Sequence, residues 1–244
     1  MRKTKDPMGA AIAEYYETGK ADKLRVFSPD FEEDEIPVDM LFRSFSDMPD
    51  IEQKALQMAE GRILDVGAGA GCHSIALQEM QKDVTAVEIS PLSVKTMKAR
   101  GVKNVIEQDF FTLTDKYDTI LMLMNGIGIV GATANMPAFF KHVDSILADN
   151  GQLILDSSDI SYVFEDEDGI IYLPEGDRYY GELEYEMQYR DVKGDSFPWL
   201  YIDFETLQDL AAEHGFKAQL VASGEHYDYL ARITPVCRHT TCLP

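Results

Sequence analysis

Residues Gly61 to Gly71 read GRILDVGAGAG, and this stretch restricts the fold of the 244-residue chain more tightly than any other. Ile63, Leu64 and Val66 form a short apolar run of strand type, broken at once by Gly67, Gly69 and Gly71; a helical stretch, Cys72 to Met80, follows. Glycine suits such a loop because the backbone must turn sharply and approach a ligand without Cβ atoms in the way. About 20 residues on, after a second strand (Val84 to Val87), Glu88 stands where a carboxylate can accept both hydroxyl protons of a ribose. Strand, glycine loop, helix, strand and acid in this order predict a nucleotide-type site.

Two ligands suit glycine loops of this kind. A dinucleotide site uses G-x-G-x-x-G, whereas here the third glycine falls one position early. Asp65, two residues before Gly67, is awkward beside a diphosphate and favourable near an ammonium or sulfonium charge. Asp65-Val66-Gly67-Ala68-Gly69-Ala70-Gly71 resembles motif I, D-x-G-x-G-x-G, of the class I S-adenosylmethionine-dependent methyltransferases. Glu88 is similar to that family's ribose-binding acid. The resemblance implies S-adenosyl-L-methionine as cofactor, held by Asp65, Gly67, Ala68, Gly69, Gly71, His73, Glu88 and Ile89. It also matches Asp109, after the third strand, to the adenine amino group, with Phe110 free to stack on the ring.

The remaining chain fits the same scheme. Ser90-Pro91 starts a helix that Gly101 stops, and Asn104 to Glu107 reads as a third strand. Tyr117 to Met124 is the most apolar stretch, fit for a central strand buried on both faces, and ends in Asn125-Gly126-Ile127-Gly128. Ligands of doubly wound sheets bind beyond the carboxyl ends of the strands, so Asn125 is expected to face the reacting methyl region and serve both cofactor and acceptor. Family members that methylate the amine of a nucleobase carry Pro-Pro-aromatic after this position. This chain does not. Asn135 is expected to cap the next helix, and Asn150-Gly151 to turn into a fifth strand, Gln152 to Asp156.

The βα alternation predicts an α/β fold: a Rossmann-like, doubly wound, mostly parallel seven-stranded sheet with a reversed last strand. An antiparallel β insertion after strand five, about 160–202, comprises strands Ile170 to Leu173 and Tyr179 to Arg190 joined by Pro174-Glu175-Gly176-Asp177, closed by Phe197 to Tyr201. Asp203 caps a last helix, and two strands meet at a Gly224-Glu225 hairpin. The domain reading is an N-terminal helical lid (1–50), a methyltransferase domain (51–235) and a tail (236–244). Within the lid, Ala11 to Tyr16 is helical and Asp30 to Pro37 a solvated loop. Tyr15, Tyr16 and Arg43 are the residues expected to close the site, Arg43 by gripping the methionine carboxylate.

Composition narrows the partners. A formal charge of -21 argues against a phosphate backbone, no apolar run spans a bilayer, and the start lacks the apolar core of a signal peptide, so a cytoplasmic enzyme is expected. The expected acceptor is a small molecule, with Ser158, Asp159 and Tyr162 joining Asn125 as candidate contacts. Asp156, Asp159, Tyr162 and His142 are open candidates for a base, Ser157 for a substrate contact, and the insertion for a homodimer contact. The reading carries no metal. Cys72 opens a helix, where a thiol pKa can fall; a packing role is the alternative. A nicotinamide-dependent oxidoreductase and a non-catalytic cofactor-binding protein are the competing functions.

Overall fold

A computed structural model describes residues 5–166, 168–173, 176, 178–224 and 227–236. The chain opens with α1 (Pro7–Thr18), capped by Asp6, whose carboxylate accepts from the Gly9 amide at 2.8 Å, and stopped by Gly19 in the left-handed region. Strands β1 (Leu24–Phe27) and β2 (Asp34–Ile36) and helix α2 (Asp50–Met58) follow. The alternating core then runs β3 (Arg62–Val66), α3 (Cys72–Glu79), β4 (Asp83–Glu88), α4 (Pro91–Arg100), β5 (Val105–Glu107), β6 (Tyr117–Met122), α5 (Met136–Ile146) and β7 (Leu147–Ser158). After it come β8 (Glu182–Tyr189), β9 (Val192–Lys193), β10 (Phe197–Leu200), α6 (Phe204–Glu213), β11 (Phe216–Ser223) and β12 (Asp228–Pro235).

Seven strands form one sheet in the order β11-β12-β7-β6-β3-β4-β5, parallel except where β12 runs against both neighbours. Alternation along each strand divides its apolar residues between two covered faces. Leu64, Ile120, Met122, Leu153, Leu155, Ala231 and Ile233 pack against α5 and α6, whereas Ile63, Leu121, Ile154 and Leu230 pack against α2 and α3. The expected architecture is therefore the observed one. Among the described residues, no helix is long and apolar enough to cross a membrane.

The second sheet differs from expectation. β8 is flanked by β10 and by β1, which pairs onward with β2, so the insertion and the N-terminal segment share one antiparallel sheet. The acid-rich loop expected over Asp30 to Pro37 contains strand β2: Lys23, just before β1, pairs with Glu35, and Arg25 on β1 pairs with Glu33, which neutralises acids beside the ladder. Ile170 to Leu173 is not a strand: Ile171 makes a single bridge to Glu165 and its neighbours make no ladder. Pro174, Glu175 and Asp177 of the expected turn, Glu225 of the expected hairpin, Cys237 and Cys242 lie outside the described residues. Asn135 precedes α5 without a side-chain cap; its amide donates to the Val130 carbonyl at 2.9 Å instead. Asn150-Gly151 is a bulge inside β7: Tyr117 pairs with Leu147 but Thr119 with Gln152, and Asn150 takes the left-handed φ of 62°.

Candidate active site

The parallel strands end together on one edge. At the end of β3 the amides of Gly67 and Ala68 donate to the Val87 carbonyl at 3.0 and 3.2 Å, which ties the loop to β4. Gly67, Gly69 and Gly71 all have positive φ, but they serve different ends. A Cβ on Gly67 would meet nothing within 4 Å and one on Gly69 only the Gly67 carbonyl at 4.0 Å, so both face open space. A Cβ on Gly71 would lie 3.0 Å from Met97 and Val102. Two glycines therefore leave room for a ligand, and the third lets α3 close on α4.

Glu88 is fixed against this loop. One carboxylate oxygen accepts from the Gly69 amide at 2.9 Å, and the other from the amides of Ile89 and Ser90 at 2.8 and 3.0 Å. Burial pushes its pKa up, against the three amides, which favour the charged form. Ile89 beside it is 72% exposed, an apolar surface of the kind a ring can cover. Asp109 lies next to it, since the Gln108 amide donates to the Glu88 carbonyl at 3.1 Å, and its carboxylate caps the turn after β5 through Phe111 N at 2.9 Å. Phe110 is not free to stack on a ligand: it is buried in the core, edge-on to His142 at 4.9 Å. Phe111, which the sequence reading passed over, is 40% exposed at this edge.

Asp65 is not open to a ligand. It is 2% exposed, accepts from Ser74 Oγ at 2.6 Å, and belongs to a buried charge cluster on the α2–α3 face. His73 bonds Glu52 at 2.7 Å, and Arg43 pairs with the same carboxylate. Burial alone would lower the His73 pKa, but Glu52 and Asp65 outweigh it and raise it; burial would raise that of Glu52, and His73 with Arg43 lowers it. Arg43, expected to grip a ligand carboxylate, is committed to Glu52 and to the Met40 carbonyl. His73 is likewise internal. Glu52, which the sequence expectations did not single out, is a charge on the apolar stripe that α2 presents through Ile51, Ala55 and Leu56, and that position is the signal that could have found it.

The lid residues also have other duties. Tyr16 donates to the Ala99 carbonyl on the last turn of α4, at the opposite end of that helix from Ser90, and Tyr15 packs on Phe42 at 4.6 Å. The start of α1 reaches the site instead: Ser90 Oγ donates to Asp6 at 2.7 Å, and Ile12 packs with Leu41, Ala70 and Met124 over the glycine loop. Burial pushes Cys72 up to about 11, the reverse of the fall that a helix start would give, and makes it a packed, inert thiol.

Beyond β6 and β7 the edge is built differently. Asn125 Oδ1 accepts from Ser158 Oγ at 3.0 Å, so these two candidates are in contact. Asp159 accepts from Tyr180 and from the Ser161 amide, and Tyr162 stacks on Tyr227 at 4.7 Å, 42% exposed. Both Asp156 oxygens are taken by backbone amides, His142 faces the Phe110 carbonyl at 2.7 Å, and Ser157 accepts from the Ile202 amide; none is placed as a base or contact. Trp199 of β10 packs directly on Gly128, where a Cβ would be 2.0 Å from the indole. That contact locks the second sheet onto the loop after β6.

An acid beside a glycine loop with free space, an exposed apolar side chain next to it and a second acid one strand away fit a ribose and a base ring. A methyltransferase-domain family profile matches residues 14–221. The chain belongs to the methyltransferase-domain family. A crystal structure of an S-adenosylmethionine-dependent methyltransferase from Bacteroides fragilis, in complex with S-adenosyl-L-homocysteine, is 54% identical, with a TM-score of 0.91 over 97% of this chain and 98% of that one. Two more distant structures share the fold: the DhpI–S-adenosylhomocysteine complex (17% identity, TM-score 0.62, 97% of each chain) and the sugar N-methyltransferase KedS8 from Streptoalloteichus sp (16%, 0.56, 82% of this chain and 93% of that one). A search of curated proteins gives no match. This methyltransferase uses S-adenosyl-L-methionine, and the nicotinamide and non-catalytic alternatives fall away.

Proposed function

We propose that this methyltransferase acts on a small-molecule acceptor, by in-line transfer at the edge beyond β6 and β7. The observation that carries the reading is the docking of the second sheet, through Trp199 on Gly128, which walls the edge beside Asn125 and Ser158. Gly67, Gly69, Glu88, Ile89, Asp109 and Phe111 would hold the adenosine portion. The cofactor supplies a methyl group already activated by its sulfonium. The chain's part is then to orient the acceptor, exclude water and hold the approach line, which can supply about 7–11 kcal/mol of the barrier. Asn125 and Ser158 offer polar atoms for orientation, and Tyr162 with Tyr227 an exposed aromatic face. That KedS8 is a sugar N-methyltransferase is in keeping with a small acceptor, and the charge of -21 disfavours a polyanionic one.

The test has two arms. Calorimetric titration with S-adenosylmethionine should show binding that Glu88→Ala weakens more than tenfold. Labelled methyl transfer should then be followed with a panel of small amines, carboxylates and phenols; transfer confined to protein or nucleic acid would overturn the reading.

A further inference from the structure

The loop after β6 carries two successive non-glycine residues in the left-handed region, Met124 at φ 60° and Asn125 at φ 57°. Such a pair persists only when its surroundings over-determine it. Here the determinant is one side chain. Asp156, 5% exposed on β7, accepts from the Met124 amide at 3.0 Å with one oxygen and from the Asn125 amide at 2.7 Å with the other. Met124 then packs on Ala70 of the glycine loop and Ile12 of α1, while the Asn125 side chain meets Ser158. One carboxylate thus fixes the point where the glycine loop, α1 and the acceptor side converge.

We propose that Asp156 is a positioning residue for methyl transfer, fixing the loop after β6 through the two amides, and that its protonation releases that loop. The inference rests on the reading of this edge as the acceptor side. A carboxylate offers an acceptor to each amide; a carboxylic acid turns one oxygen into a donor that faces an N–H. Among the described residues, the charged and titratable groups that act on Asp156 are Glu52 on α2, whose negative charge favours the acid form, His73 on α3, which favours the carboxylate, and Tyr229 on β12. Burial is the larger influence and pushes Asp156 up to about 7, so the loop is held above that pH and freed below it.

The test needs no acceptor. Amide hydrogen exchange, read by NMR on the full chain between pH 5.5 and 8.5, should show the protection factors of Met124 and Asn125 falling at least tenfold as pH drops through about 7. In Asp156→Asn both should be low and independent of pH, because the side-chain amide offers one acceptor oxygen. Should that variant not fold, the wild-type Asp156 carboxyl ¹³C shift and the Met124 amide shift must titrate together. Constant protection through the titration, protection kept in Asp156→Asn, or the two shifts moving apart would overturn the proposal. A failure of the acceptor-side reading would show elsewhere, as loop release without any small-molecule transfer in the labelled assay.

Discussion

The cofactor half and the acceptor half of the site share one sheet edge and are assembled by opposite means. On the cofactor side, β3, the glycine loop and Glu88 lie within 28 residues, numbered 61 to 88, and backbone amides do the joining. On the acceptor side the loop after β6 meets β10 and β7, drawn from segments far apart in sequence, and side chains do the joining. A contiguous motif tolerates change in the rest of the chain. A wall built from distant segments depends on every contact between them, which leaves it free to vary between relatives that share a cofactor.

The difference can be broken at one atom. Gly128→Ala places a methyl group where the Trp199 indole lies, at 2.0 Å, so the second sheet must shift. Overpacking of this kind costs about 1–3 kcal/mol. Thermal unfolding should show that loss, and transfer should fall at least tenfold with cofactor affinity within threefold. Equal loss of both would mean that the two halves are not separable. Within the cofactor half, Gly71→Ala should destabilise the fold by about 2 kcal/mol, through a positive φ of 82° and contact with Met97 and Val102. Gly69→Ala, which faces open space, should cost about 1 kcal/mol in unfolding but at least tenfold in S-adenosylmethionine affinity. The smallest effect belongs to Phe111→Ala: a two- to fivefold loss of cofactor affinity, measured by calorimetry, with unchanged thermal stability. No change in affinity would remove Phe111 from the cofactor site.

These contrasts also explain what the sequence disclosed. Hydrophobic alternation and the glycine–acid spacing depend on local rules, so the seven-stranded sheet, its reversed strand and the placing of Glu88 after the glycine loop were legible; the bond from the Gly69 amide was not. The partners of β8 were not, because β1 is four residues long and its neighbour β2 looks like an acidic loop until Lys23 and Arg25 are seen to face it. Asp65 and Arg43 were assigned to a ligand because sequence shows charge but not depth; the fold turns them inward, Asp65 onto Ser74 and Arg43 onto Glu52. Phe110 and Phe111 are indistinguishable by type, and only the direction of each side chain separates core from edge. Asn125 and Asp159 could be placed at the edge from topology, but their partners Ser158 and Tyr180 required the fold.

The three amide bonds to Glu88 bear on the thermodynamics of ligand capture. A glutamate on an open surface samples many rotamers, and fixing a side chain of this kind when a ligand arrives costs about 0.5–1.5 kcal/mol in lost conformational entropy. Here Gly69, Ile89 and Ser90 have already selected the orientation during folding. Ribose hydroxyls therefore meet an acceptor with little freedom left to lose, and the entropic share of that step falls on the fold rather than on the encounter.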